Sequence, residues 1–247
     1  MKPSLLVFFF VALSSFLPPS VYGQNSPAIP IYGVFATHTI GIYVPAKPKM
    51  LHDLVVNASK IWNKAQIWFD GGQPMFSFVP VGRDRANVTV QFQAMPWDYG
   101  LTTWTYSKLP PNSVFGGIVV GATVTLNSNM SWVGHFQDAR SVFVRTALHE
   151  LGHVLGFGEL IDGPDIMDYD VLNEAMAIST LDLYALRILA ESSSQLPPQF
   201  ISLPHAVPYE LINVNTFIPL PGNSQGVDLL LSDHRVNFPS GRRFQLD

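Results

Sequence analysis

The sequence HELGHVLGFGE, residues 149–159, places two histidines four positions apart. Residues four positions apart lie on the same face of an α-helix, so His149 and His153 can direct imidazole nitrogens at one metal ion. Roughly the opposite face carries an apolar stripe made of Val144, Leu148, Leu151 and Leu155. The sequence therefore predicts a helix over about residues 138–155 that packs on one side and offers two metal ligands on the other.

The glycines near the histidines indicate where a third metal ligand could lie. If the helix continued, residue 159 would lie about 9 Å farther along its axis than His153 and would point away from the metal. Gly156 is a place where the helix can stop, because glycine adopts the left-handed conformation that ends helices. The chain can then turn back. Glu159 would complete a set of two histidines and one carboxylate, which zinc accepts in catalytic sites.

Glu150 is the candidate general base, because it follows His149 and would project beside the metal. The pattern H-E-x-x-H on a helix is typical of zinc metalloproteases. Zinc lowers the pKa of bound water to about 7 and polarises a carbonyl oxygen. Glu150 would act as the general base and return the proton to the leaving amine. We therefore expect a Zn²⁺ cofactor and hydrolysis of peptide bonds in protein or peptide substrates.

These residues, together with DIMDYD at residues 165–170, resemble the metzincin metalloproteases and the matrixin family most closely. The resemblance is strong over residues 149–169 and looser over about residues 38–190. It implies that Met167, eight residues after position 159, forms the Met-turn beneath the zinc, although methionine is also an ordinary core filler. It also implies that Tyr169 helps to hold the reacting oxyanion, unless that tyrosine is structural.

The resemblance implies a metzincin-like zincin, an α+β fold with a mixed twisted β-sheet, an active-site helix and a C-terminal helix. The stretch ATVTLNS (residues 122–128) is similar to the family's edge strand, which pairs with extended substrate. Three features depart from the matrixin pattern. The third ligand is a glutamate, the chain has no cysteine for a latency switch, and the metal-binding loop rich in histidine and aspartate has no counterpart. The chain would be a minimal form.

Other interpretations stay open at this point. Glu174, in VLNEAMA, lies at a distance and in a context that resemble gluzincins, so it competes with Glu159 as third ligand. The aspartates at 162, 165 and 168 are further candidates. A catalytically inactive zinc-binding surface protein is the alternative from another class. Such a protein need not keep Glu150, so the presence of that residue favours the enzyme.

The chain divides into three parts by its composition. Residues 1–23 predict a signal peptide, because Lys2 precedes an apolar run too short to span a bilayer, with an uncleaved membrane anchor as the alternative. Residues 24–194 predict the catalytic domain. Residues 195–247 carry seven of the chain's 20 prolines and form an extension that either packs on the domain or makes a stalk. We therefore expect a secreted, extracellular protein with no membrane span once the signal is removed.

Within the domain we expect strands over residues 38–45, 76–81 and 86–93, and a strand pair or one long edge strand over residues 116–129. Helices are predicted over residues 50–65 and 178–191, and Ser179 and Asp182 form a capping-box-like pair at the start of the last. The net charge of −4 and the absence of a basic block make nucleic acid an unsuitable partner.

Overall fold

The computed structural model describes residues 28–95, 99–111, 113, 115–129, 139–160, 165–168, 177–192, 195–202, 210–214 and 217. The predicted signal peptide lies outside these residues, as do Asp162, Tyr169 and Glu174. In the part of the chain that the structure describes, no helix is long and apolar enough to cross a membrane.

The described elements are strands and three helices in a mixed order. The strands are β1 (Ala28–Pro30), β2 (Gly33–Phe35), β3 (Thr39–Tyr43), β4 (Ser77–Pro80), β5 (Val88–Gln93), β6 (Gly100–Lys108), β7 (Gly117–Asn127), β8 (Ala177–Ser179), β9 (Phe200–Ser202) and β10 (Leu211–Asn213). The helices are α1 (Lys49–Asp70), α2 (Ala139–Leu155) and α3 (Thr180–Glu191), and a 3₁₀ turn covers Arg83–Arg85.

The main sheet has six strands, in the order β2-β7-β5-β3-β4, with β6 added to the other side of β7. All its pairings are parallel except β6 with β7, which is antiparallel. A mixed sheet covered by helices agrees with the α+β class predicted from the sequence. The predicted strands over 38–45, 76–81 and 86–93 correspond to β3, β4 and β5.

The prediction that residues 122–128 form the edge strand is wrong. Residues 122–127 lie in β7, which pairs with β5 on one side and with β6 on the other. The backbone groups of β7 therefore have strand partners in both directions. The edge beside β7 is β6, a nine-residue strand that the sequence analysis did not predict.

The helices pack on the sheet and on each other around one apolar core. The side chain of Trp62, on α1, is fully buried and donates a hydrogen bond from its indole nitrogen to the carbonyl of Leu148 on α2, at 2.9 Å. This bond joins the two long helices at the residue that directly precedes His149. Helix α3 begins with the predicted capping box, since Ser179 and Asp182 each bond the other's backbone N–H.

The described residues after 194 lie against this body. Strand β9 pairs antiparallel with β1, and β10 pairs antiparallel with β8. The side chains of Ile201, Ile212 and Val214 belong to the buried core. Residues 200–202 and 211–214 therefore pack on the domain.

Candidate metal centre

Helix α2 places the two histidines side by side, and the chain that follows it brings the glutamate back to them. The helix ends at Leu155, and Gly156 has a φ of 115°. Oε1 of Glu159 then lies 3.1 Å from Nε2 of His153, and Oε2 lies 3.3 Å from Nε2 of His149. One potential ligand atom from each residue lies within 4.8 Å of the others. The predicted convergence of His149, His153 and Glu159 is therefore what the structure shows.

Both imidazoles are oriented from behind by backbone carbonyls. Nδ1 of His149 lies 2.8 Å from the carbonyl oxygen of Ile166, and Nδ1 of His153 lies 2.9 Å from that of Phe157. A carbonyl oxygen can only accept, so Nδ1 carries the proton, and the lone pair of the neutral ring is on Nε2. This arrangement is the one that metal-ligating histidines use to fix their tautomer and ring orientation.

The carboxylate of Glu159 also fits a cation. Its Oε2 is buried and accepts no hydrogen bond of good geometry, although Nε2 of His149 is 3.3 Å away. A buried carboxylate oxygen without a partner is costly unless a cation balances it. Two imidazole nitrogens and one carboxylate oxygen are a ligand set that zinc accepts with an open fourth position. The residues present therefore fit a metal ion.

The charges in the cluster are strongly coupled. Burial lowers the pKa of His153, but the carboxylate of Glu159 outweighs it, and the pKa is raised to about 9. Burial would raise the pKa of Glu159, yet His153 and His149 together hold it well below its usual range. Without a metal, a protonated His153 therefore pairs with a charged Glu159, and a metal ion must displace that proton.

The turn that carries Glu159 is held by the N-terminal segment, residues 28–35. The backbone N–H of Tyr32 donates to the carbonyl of Gly156 at 2.7 Å, and that of Gly158 donates to the carbonyl of Pro30 at 2.7 Å. A Cβ on Gly156 would overlap the carbonyl oxygen of Gly33. Gly156 thus permits both the positive φ and the close approach of the two backbones.

Met167 lies directly under helix α2. Its side chain is fully buried, and a Cβ on Gly152 would collide with its sulfur. Its backbone carbonyl accepts from the N–H of Leu160 at 2.9 Å, and its own N–H donates to Oδ1 of Asp165 at 2.9 Å. The methionine therefore packs beneath the turn between the two histidines, and its backbone supports the loop that carries Glu159.

Glu150 lies against strand β6. The hydroxyl of Thr102 donates to Oε2 of Glu150 at 2.6 Å, and both side chains are buried. A Cβ on Gly100 would lie 2.5 Å from Oε1, so a glycine there leaves room for the carboxylate. Burial raises the pKa of Glu150, while His153, His149 and Thr102 lower it. Glu150 is not one of the three side chains that could hold a metal ion.

Sequence reasoning missed a set of aromatic side chains around His153. The ring of Tyr32 is stacked on that of His153, with ring centres 5.8 Å apart and an angle of 18° between the planes. Trp104, on β6, approaches the same imidazole edge-on and donates its indole N–H to the carbonyl of His153 at 3.1 Å. The alternation of threonine with Trp104 and Tyr106 could have revealed β6. No local pattern marks Tyr32.

Asp165 and Asp182 form an acidic pair next to the loop that carries Met167. Asp165 and Asp182 are both buried, and each interacts with Ser179. Burial raises the pKa of both carboxyl groups, and in Asp182 the charge of Asp165 adds to the effect. Oδ1 of Asp182 has no hydrogen-bond partner. Asp165 therefore accepts a hydrogen bond from the backbone of Met167 and does not belong to the group of His149, His153 and Glu159.

The remaining candidate ligands separate into two groups. Asp165 and Asp168 are described and buried, but neither joins the cluster of His149, His153 and Glu159. Glu174, Asp162 and the proposed electrophile Tyr169 lie outside the described residues. Among the residues that the structure describes, Glu159 is the acid that meets the two histidines.

Comparisons with known proteins add little to this geometry. No family model matches the chain, and no curated protein matches it. One solved structure that matches, described as "GM1 bound form of the ECX AB5 holotoxin", has 11% sequence identity and a TM-score of 0.40. The match covers 72% of this chain and 94% of that chain. A likeness at this level carries no argument about function.

Proposed function

We propose that the protein is a secreted zinc-dependent metalloendopeptidase with a metzincin-like fold, similar to the matrixins. The observation that supports this most directly is the convergence of Glu159 on His149 and His153 after the helix ends at Gly156. The oriented Nε2 atoms, and the buried Oε2 of Glu159 that accepts no hydrogen bond of good geometry, suit a zinc ion better than a purely structural ion pair. Glu150, immediately beside the first ligand, supports an enzyme over an inactive binding protein.

Separate residues would bind the metal, transfer the proton and position the base. His149, His153 and Glu159 would hold the zinc, which when bound lowers the pKa of water and polarises the carbonyl group that is attacked. Glu150 accepts the proton of the attacking water at its carboxylate and delivers it to the leaving amine. Thr102 fixes that carboxylate through Oε2, which leaves Oε1 to make the proton transfer.

Strand β6 offers a place for an extended substrate. Among the described strands, β7 alone pairs with β6, so the outer edge of β6 can accept a further strand. Thr102 and Trp104 on this strand bond to Glu150 and to the backbone of His153. A peptide added to this edge by backbone hydrogen bonds would therefore run past both the base and the metal ligands.

The proposal is tested by peptide cleavage together with metal analysis. The wild-type protein should cleave a casein-type substrate, lose activity with a chelator and regain it with zinc. Glu150→Gln should keep one zinc per chain and lose cleavage, because the ligands remain while the base is gone. Glu191→Gln is the matched control, since Glu191 is exposed on α3 and pairs with Arg187. Full activity of Glu150→Gln, or activity that chelators do not affect, would rule out the mechanism.

Export is tested separately. When the full chain is expressed in a secreting host, the N-terminus of the exported protein should be Gln24. A protein that stays in the membrane fraction with Met1 or Lys2 intact would show that the apolar run is an anchor.

A further inference from the structure

We propose that Tyr32 is a positioning residue of the metal centre. It would hold His153 and the turn that carries Glu159 in the geometry that binds zinc. The inference rests on the zinc site of the proposed function and not on peptide hydrolysis. Tyr32 lies more than a hundred residues before the ligands in the chain, in a segment for which the sequence predicted no role.

The backbone of Tyr32 is fixed on both sides. Its N–H donates to the carbonyl of Gly156 at 2.7 Å. Its carbonyl accepts from the N–H of Gly116 at 2.9 Å and from the hydroxyl of Tyr106 at 2.9 Å. Three parts of the chain therefore determine where the ring of Tyr32 lies. They are the turn that ends α2, the segment before β7 and strand β6.

The ring is placed against the ligands. It is nearly parallel to the imidazole of His153 and to the ring of Phe115, with centres 5.8 Å and 4.3 Å away. Trp104 meets the ring of Tyr32 edge-on at 5.5 Å and that of His153 edge-on at 6.0 Å. The imidazole of His153 is thus held by two aromatic rings in addition to the carbonyl of Phe157. A ring held in this way keeps its Nε2 directed at the metal.

The turn after the helix is shaped to receive this ring. A Cβ on Gly158 would lie 2.7 Å from Cε1 of Tyr32 and 2.8 Å from Cβ of Pro30. The glycine one residue before the acidic ligand is therefore needed because Tyr32 and Pro30 occupy the space. Tyr32 contacts one ligand directly and abuts the chain that positions another. This is the role of groups behind a metal site, whose removal typically weakens metal binding by about 10–100-fold.

The first experiment measures zinc affinity by chelator competition on folded protein, checked by near-UV circular dichroism. Tyr32→Leu should bind zinc about 10–100-fold more weakly. Tyr32→Phe keeps the ring and removes only the hydroxyl, which interacts with the backbone of Glu159, so it should lose much less zinc affinity than Tyr32→Leu. Tyr184→Leu is the matched control, because Tyr184 is also partly buried against the core but lies on α3. It should leave zinc affinity unchanged. In Co²⁺-loaded protein, Tyr32→Leu should shift the visible absorption bands, and Tyr32→Phe should shift them much less.

Wild-type affinity in Tyr32→Leu would overturn the proposal. So would equal losses in Tyr32→Leu and Tyr184→Leu, which would show a general loss of stability. A loss in Tyr32→Phe as large as in Tyr32→Leu would assign the effect to the hydroxyl and overturn the stacking role. A wild-type protein that binds no zinc would overturn both proposals. One that binds zinc without cleaving peptides would overturn the proposed function alone.

A second measurement needs no variant. Coupling between two sites is reciprocal. If residues 28–35 stabilise the metal site, bound zinc must therefore stabilise residues 28–35. Hydrogen exchange of the wild-type protein should slow at the amides of Tyr32 and Gly158 when zinc is added, since both bond across this contact. Amides of β4, at the far edge of the sheet, should not change. Equal exchange of the first two amides with and without zinc would overturn the proposal.

Discussion

Replacement of Gly156 by alanine tests the turn that delivers Glu159 to the histidines. The φ of 115° at Gly156 is unfavourable for any residue with a Cβ, and a left-handed conformation costs such a residue about 1–2 kcal/mol. The added Cβ would also overlap the backbone oxygen of Gly33, which no side-chain rotation can relieve. The turn and residues 28–35 must therefore move apart.

That movement breaks identifiable contacts. The bond from Tyr32 N–H to Gly156 and the bond from Gly158 N–H to Pro30 are both 2.7 Å long, and each contributes about 1 kcal/mol. Together with the backbone strain, Gly156→Ala should lower the free energy of unfolding by about 3–4 kcal/mol. A domain of ordinary stability, about 5–15 kcal/mol, survives this loss. Zinc affinity should fall by at least about tenfold, since Glu159 is displaced.

The assay is urea denaturation of the metal-free protein combined with zinc titration of the folded protein. Gly72→Ala is the control, because a Cβ there meets only a side-chain oxygen of Asp70 at 3.9 Å and the residue is exposed. It should change stability by less than about 1 kcal/mol. If Gly156→Ala behaves like Gly72→Ala in both measurements, the reasoning about this turn is refuted.

The remaining predictions concern titration and ligand identity. The pKa of His153 is raised to about 9, so zinc has to displace a proton at neutral pH. Zinc affinity measured by chelator competition should therefore rise about tenfold from pH 7 to 8 and level off as the pH passes 9; a flat profile would contradict this. The folded-state pKa of Asp182 is raised, so its contribution to stability is present at low pH and is lost as the pH rises through that pKa. Asp182→Asn should therefore raise the free energy of unfolding in urea at pH 7 by about 1 kcal/mol or more, and this gain should shrink towards pH 4; a loss of stability at pH 7 would refute the assignment. By metal analysis, Glu159→Ala should lose zinc, Glu159→His should bind it, and Glu174→Ala should keep it; an empty site in Glu174→Ala alone would indicate the gluzincin arrangement.

The convergence of the three candidate ligands could be predicted because it depends on local geometry. The spacing of His149 and His153 fixes their common face on a helix, and Gly156 marks where that helix has to end. The capping pair of Ser179 and Asp182 is likewise a pattern within four residues. Each of these predictions is confirmed by the described structure.

The parts that escaped prediction depend on contacts between distant residues. Strands β1 and β2 have three residues each, too few for an alternation pattern, and their pairing with β9 and β7 is set by the whole fold. The position of Tyr32 against His153 follows from that pairing. The error about β7 has a different cause. Its sequence indicates a strand but not how many neighbours the strand has, and the missed β6 left one side of it apparently free.

Anomalous diffraction at the zinc edge, from crystals of the wild-type protein grown with zinc, tests the central claim most directly. The expected result is one peak at which Nε2 of His149, Nε2 of His153 and a carboxylate oxygen of Glu159 converge, at about 2.0–2.2 Å from the metal. A peak bound by Glu174 in place of Glu159, or no peak beside the two histidines, would contradict the assignment.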